Sequence, residues 1–387
     1  MEILKNIKKE NLIRKLLGGK ISSEEFDELT DMIDQADYRR IIMRIFDLNE
    51  GIILNNSTAD SGIMGVFNRR SGRRKTLKLE RRFKRSGRGE GKKMILVEGD
   101  SWFEHPFITE IADWLFKDKN NLILSLAYAG DWIANIIYEE QYITELTLYQ
   151  PEIFIISGGG NDLVGDGRLG MLVNKPSLVD FSEKPEDAEL TKRITAQDFD
   201  NGETDSCKRA EMIVRGTKYL SDEFFALLKV FEMMYRLFFT RIEKAGKFDD
   251  MKIVTQGYDF AIPSNSKNPF NHPVKLLGNG HHIYRPLIKK GIMDAAEQES
   301  IVSAAIYYMN EMLIQTGQYC NSRRESNYVF HVDSRGALRR NEWADELHPR
   351  SDAFKRISSV YSACIAGEQS LDSGNPAVYP VRKYFRS

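Results

Sequence analysis

Five short apolar runs, at 94–97, 122–126, 153–156, 252–255 and 328–332, are separated by longer stretches of helical pattern. Runs of four or five residues are too short for core helices. Without polar alternation they read as strands buried on both faces of a parallel sheet. Parallel neighbours need long crossovers, and the helical stretches supply them. The expected fold is therefore α/β: a flavodoxin-like, doubly wound sheet of about five parallel strands. In such sheets ligands sit beyond the carboxyl ends of the strands.

Polar residues gather where those ends should lie. Gly99-Asp100-Ser101-Trp102-Phe103 follows the first run, and Tyr128-Ala129-Gly130-Asp131 follows the second. Gly158-Gly159-Gly160-Asn161-Asp162 follows the third, and Trp343-Ala344-Asp345-Glu346-Leu347-His348-Pro349 follows the fifth. A serine hydroxyl needs an imidazole to take its proton, and the imidazole needs an acceptor to hold its tautomer. His348 can be that base. Asp345, three residues earlier, can turn back on it, with Glu342 and Glu346 as alternative orienters. Taken singly, Gly130 and Asn161 read as turn residues, and Asp100 and Asp162 as acids that hold turn backbones.

The four blocks in this order resemble the SGNH/GDSL hydrolase superfamily over roughly residues 94–365. The resemblance implies the SGNH hydrolase fold, Ser101 as nucleophile, and Asp345 and His348 completing the catalytic set. It also implies an oxyanion hole formed by the Ser101 N–H, the Gly130 N–H and the Asn161 side-chain amide. The implied reaction is cleavage of carboxylic esters through an acyl-serine intermediate, by an esterase or lipase acting on a lipid or other acyl ester. No cofactor or metal is implied. Carbohydrate deacetylases and thioesterases share the resemblance, and an inactive recruitment or regulatory protein is the reading from another class. Trp102 stands where the superfamily usually has leucine. Trp102 and Phe103 are expected as an apolar wall of the substrate pocket.

Residues 1–50 are expected to form a small helical docking module. Leu12, Ile13, Leu16 and Leu17 share one helix face, Ser22 and Glu25 have capping-box spacing, and a third helix lies near 38–46. The phrase LIRKLLGGKISSEEFDELTDMID resembles the N-terminal helical module of FecR-like anti-sigma regulators and implies a protein partner. Residues 51–93, rich in Gly, Ser, Asn and Arg, read as a linker. From Arg69 to Lys93 it holds 13 Lys/Arg against Glu80 and Glu90, a local charge of +11 in a chain of net −1. Leu77, Leu79 and Phe83 interleave with the charges, so the segment could lie on an anionic membrane surface. A solvated linker is the plainer alternative, and few aromatics are available to stack nucleic-acid bases.

The hydrolase domain is expected over 94–387, with a long polar insertion around 165–220 that is either a lid or a structural insertion. Residues 222–242 carry an apolar stripe suited to a core helix, with surplus aromatics that could line a ligand site. Cys207, Cys320 and Cys364 have no CxxC spacing and suit reduced thiols. His272, His281 and His282 read as loop residues rather than metal ligands, and His331 as a core histidine. With no signal-peptide pattern and no run of roughly 18 apolar residues, the expected location is cytoplasmic, with a place peripheral to the inner membrane face as the alternative.

Overall fold

A computed structural model describes residues 2–45, 62–87, 89, 91–139, 141–245, 248, 250–264 and 282–385. One sheet of six parallel strands runs in the order β2-β1-β3-β4-β5-β6. The strands are β1 (Lys93–Glu98), β2 (Asn121–Ser125), β3 (Ile153–Ile156), β4 (Lys252–Gln256), β5 (Val329–Asp333) and β6 (Val378–Pro380). The five apolar runs fall on β1 to β5 with ends within one residue. The short β6, which ends in proline, leaves no periodic signal and pairs at the sheet edge, where a missing N–H is tolerated. Ile95 lies opposite both Ile123 and Ile153, and Ile253 opposite Val329, so the strands end along one edge of the sheet.

The chain begins with α1 (Glu2–Leu17), α2 (Ser23–Met32) and α3 (Gln35–Ile45). Ser22 Oγ accepts the Glu25 N–H and the Glu25 carboxylate accepts the Ser22 N–H, closing the capping box. Leu12, Ile13, Leu16, Phe26, Leu29, Tyr38 and Ile41 are buried together. Residues 46–61, including the start of the expected linker, lie outside the described residues.

The remainder of that linker is a correction. Residues Gly62–Ser86 form a helix, α4. Lys75, Leu79, Arg82 and Phe83 recur at helical spacing on one face, and that face docks on the sheet domain. Leu79 is buried and Phe83 meets Tyr149 edge-on. The Arg82 guanidinium donates to the carbonyls of Phe116, Asp118 and Asn121 and stacks 3.8 Å over the Phe116 ring. Arg, Lys and Leu are good helix formers, so tertiary anchoring outweighs the nearby glycines. Two of the three apolar residues offered to a lipid surface thus face the protein, and only Leu77 is exposed.

Between β1 and β2 lies α5 (Ile111–Leu115); between β2 and β3 lie α6 (Ile133–Glu139) and α7 (Gln141–Tyr149). The β3–β4 connection carries α8 (Gly160–Val164), α9 (Pro185–Ala196), α10 (Ser206–Thr217) and α11 (Asp222–Lys244). Then come α12 (Tyr284–Lys289) and α13 (Ala295–Asn321) before β5, and α14 (Ser351–Ala366) before β6. The stripe Phe224, Leu227, Leu228, Phe231, Tyr235, Phe238 and Ile242 of α11 is buried core. The N-terminal helices sit on α11, where Arg236 and Lys229 lie over the Phe26 ring and Arg236 pairs with Asp27 at 2.6 Å.

The 165–220 insertion is folded. Its helices α9 and α10 pack on each other, and α10 packs along α13. Gly216 permits the closest approach, since a Cβ there would lie 1.9 Å from the Ser300 carbonyl oxygen. His331 is buried in β5, bonded to Thr255 Oγ1 at 2.9 Å. His272 and His281 lie outside the described residues, and His282 is exposed. No described helix is long and apolar enough to cross a membrane.

Candidate active site

At the end of β1 the chain turns sharply through Gly99, whose φ of +143° is open only to glycine. A Cβ there would also stand 2.7 Å from the Ser157 carbonyl oxygen at the end of β3. The Phe103 and Glu104 amides both donate to the Asp100 carbonyl, which tightens the turn that carries Ser101. Beneath it the buried Asp100 carboxylate accepts the Trp102 N–H at 3.0 Å and the Ser157 hydroxyl at 3.1 Å, and also the Tyr258 hydroxyl. Burial pushes the Asp100 carboxyl up, against these hydrogen bonds.

Ser101 Oγ lies 2.7 Å from His348 Nε2, and His348 Nδ1 lies 2.9 Å from both oxygens of Asp345. A carboxylate only accepts, so Nδ1 carries the proton and Nε2 faces the hydroxyl as acceptor. Asp345 Oδ1 also accepts the Leu347 and His348 amides at 2.8 Å, folding 345–348 back upon itself. The Trp102 indole N–H donates to the Leu347 carbonyl at 3.1 Å, tying this turn to the loop that carries Ser101. Burial lowers the His348 imidazole pKa, but the adjacent Asp345 outweighs it and the net direction is upward. Burial works against the Asp345 carboxylate, yet His348 and the turn amides hold it well below its usual range.

The alternative orienters have other partners. Glu342 pairs with Arg356 at 2.5 Å and accepts the Arg339 N–H. Glu346 accepts the backbone N–H groups of Ser264, Ile283 and Tyr284.

The second and third blocks lock together beside Ser101. The Tyr128 N–H donates to the Gly99 carbonyl at 2.8 Å, and the Asn161 side-chain amide donates to the Asp131 carbonyl at 2.8 Å. Gly130 sits between these two anchors with φ +89°. The buried Asp162 accepts the Ile133 N–H at 3.0 Å, and burial raises its carboxyl to about 6. Ser101, Asn161 and Trp102 line one cavity. Phe103, expected on its wall, is instead fully buried against Tyr361 and does not line it, because the helical turn after Ser101 points consecutive side chains apart. No aromatic of α11 lines it either.

Several supporting residues had no signal in the sequence. Tyr258 and Ser157 grip Asp100 only once β3 and β4 bring their ends beside β1. His105 packs 4.7 Å from the His348 ring and accepts the Phe107 and Ile108 amides at Nδ1. Burial and the neighbouring His348 push its pKa down to about 3. From α4, Lys75 Nζ reaches Glu104 and Glu110, each at 2.6 Å, and the Phe103 carbonyl at 2.8 Å. All three ionisable side chains are buried. Among the described residues, no cluster of His, Cys, Asp and Glu could hold a metal ion.

No protein-family model and no curated protein matches the chain. Among solved structures, similarity extends to a mutant acetyl-xylooligosaccharide esterase from Geobacillus (11% identity, TM-score 0.36, 72% of this chain and 96% of that one). It also extends to an extracellular lipase from Streptomyces rimosus (10%, 0.35, 70% and 99%). A third is an alpha/beta hydrolase from the metagenome of Lake Arreo (12%, 0.34, 72% and 97%).

Proposed function

We propose that this chain is a serine hydrolase of the SGNH/GDSL type that cleaves carboxylic esters through an acyl-serine intermediate. The observation that carries this reading is the unbroken line Ser101 Oγ–His348 Nε2 at 2.7 Å and His348 Nδ1–Asp345 at 2.9 Å. His348 takes the hydroxyl proton as Ser101 Oγ bonds to the ester carbonyl carbon, and Asp345 stabilises the imidazolium. The carbonyl oxygen becomes an oxyanion that the Ser101 and Gly130 N–H groups and the Asn161 amide receive. One Asn161 amide hydrogen is committed to Asp131, which orients the other. As the alkoxide leaves, His348 Nε2 returns the proton to it. Water then attacks the acyl-serine by the same route, releasing the acid and restoring Ser101.

Hydrolysis of a p-nitrophenyl ester tests this. The parent protein is expected to release p-nitrophenol catalytically, and Ser101→Ala to lower the rate by on the order of 10³-fold or more. Equal rates in the two proteins would exclude Ser101 as the nucleophile.

A further inference from the structure

Building on that reaction, we infer that the cavity beside Ser101 is an acyl site for an extended aliphatic chain. Ser101 and Asn161 stand on its lining, and its other walls include Leu163, Val164 and Leu169 from α8 and the turn after it. Val302, Ala305 and Ile306, on one face of α13, supply a further wall.

Two acids border the cavity, and both have their oxygens engaged. Asp100 is held by Trp102, Ser157 and Tyr258, while Asp259 accepts the N–H groups of Phe260, Gly336, Ala337 and Leu338. The Tyr258 hydroxyl is likewise engaged by Asp100 and Ser157, so beyond Ser101, Asn161 and the Trp343 indole the described lining offers a polyol little to bind, and an aliphatic chain several apolar side chains. Polar anchors beyond the reacting atoms are what a sugar site would need.

The direction of the chain follows from His348. The leaving alcohol must sit against Nε2 to receive its proton, and His348 is not part of the lining. The group that enters the cavity is thus the acyl chain bonded to Ser101. Each methylene moved from water into such a pocket favours the longer ester by about fourfold.

The test compares kcat/KM for p-nitrophenyl hexanoate and acetate, with one leaving group throughout. The parent is expected to prefer hexanoate by at least about tenfold, part of the fourfold-per-methylene limit for four added carbons. Ala305→Leu and Val164→Phe intrude from walls on different helices and are each expected to reduce that ratio at least about tenfold. Two variants on different elements guard against one failing to fold, which thermal melting checks. Ser101-dependent cleavage with a parent ratio of one or less overturns the acyl site and leaves the hydrolase standing. So does an unchanged ratio in both folded variants. Absence of Ser101-dependent cleavage of either ester overturns the reaction and the acyl site together.

Discussion

At the scale of single residues, the proposed mechanism makes the reactivity of Ser101 depend on a carboxylate only three residues from His348. Asp345 bonds the His348 ring and the Leu347 and His348 amides together, so the pair is assembled by one local turn rather than by distant elements. Asp345→Asn removes the charge and offers the ring a group that can reverse the tautomer. We expect kcat/KM to fall by on the order of 10⁴-fold. The acid limb belongs to His348, because His105 is kept neutral by burial and by amides at its Nδ1. His348 must be unprotonated to act as base, and Asp345 raises its pKa above the ordinary value of about 6.5. Activity should therefore rise with pH through a midpoint above about 6.5 in the parent. A parent limb centred well below that value would contradict the Asp345–His348 coupling.

At the scale of elements, α4 presents the sharpest difference between sequence and structure. Its glycines, serines and dense positive charge read as a linker, and the pairing that anchors it spans distant parts of the chain. Lys75 meets Glu104 and Glu110 from across the fold, a contact that local periodicity cannot reveal. Burial raises the Glu110 carboxyl to about 8, against the pull of Lys75. A proton retained there balances one lysine against two carboxyl groups. Lys75→Met leaves both acids buried without their cation and is expected to cost about 3–5 kcal/mol in denaturant unfolding. Adding Glu110→Gln should recover part of that loss. Because the folded state holds the Glu110 proton to higher pH than the unfolded chain, this group's contribution falls as pH rises from about 4.5 to 8. A stability unchanged in Lys75→Met would refute the anchoring.

At the scale of the whole molecule, the sheet was legible because parallel strands buried on both faces leave unbroken apolar runs, as Ile153–Ile156 does. The placement of Ser101, Asp345 and His348 was legible for a related reason: Ser101 stands just after β1, and Asp345 lies within one turn of His348; their catalytic roles are the proposal. Tyr258 and Ser157 were not legible, since their importance lies in a common partner, Asp100 after β1, reached from the ends of β3 and β4. Phe103 was misplaced because adjacency in sequence to Ser101 says nothing about which side of the turn a ring takes. The N-terminal helices and the folded 165–220 insertion pack on the domain through α11 and α13. The central claim, that this scaffold serves to activate one hydroxyl, is tested most directly by reacting the native protein with a fluorophosphonate and mapping the adduct by mass spectrometry. One phosphonyl group on Ser101, absent in Ser101→Ala and strongly slowed in His348→Ala, is the result expected. An unlabelled Ser101, or labelling that persists at the same rate without His348, would contradict it.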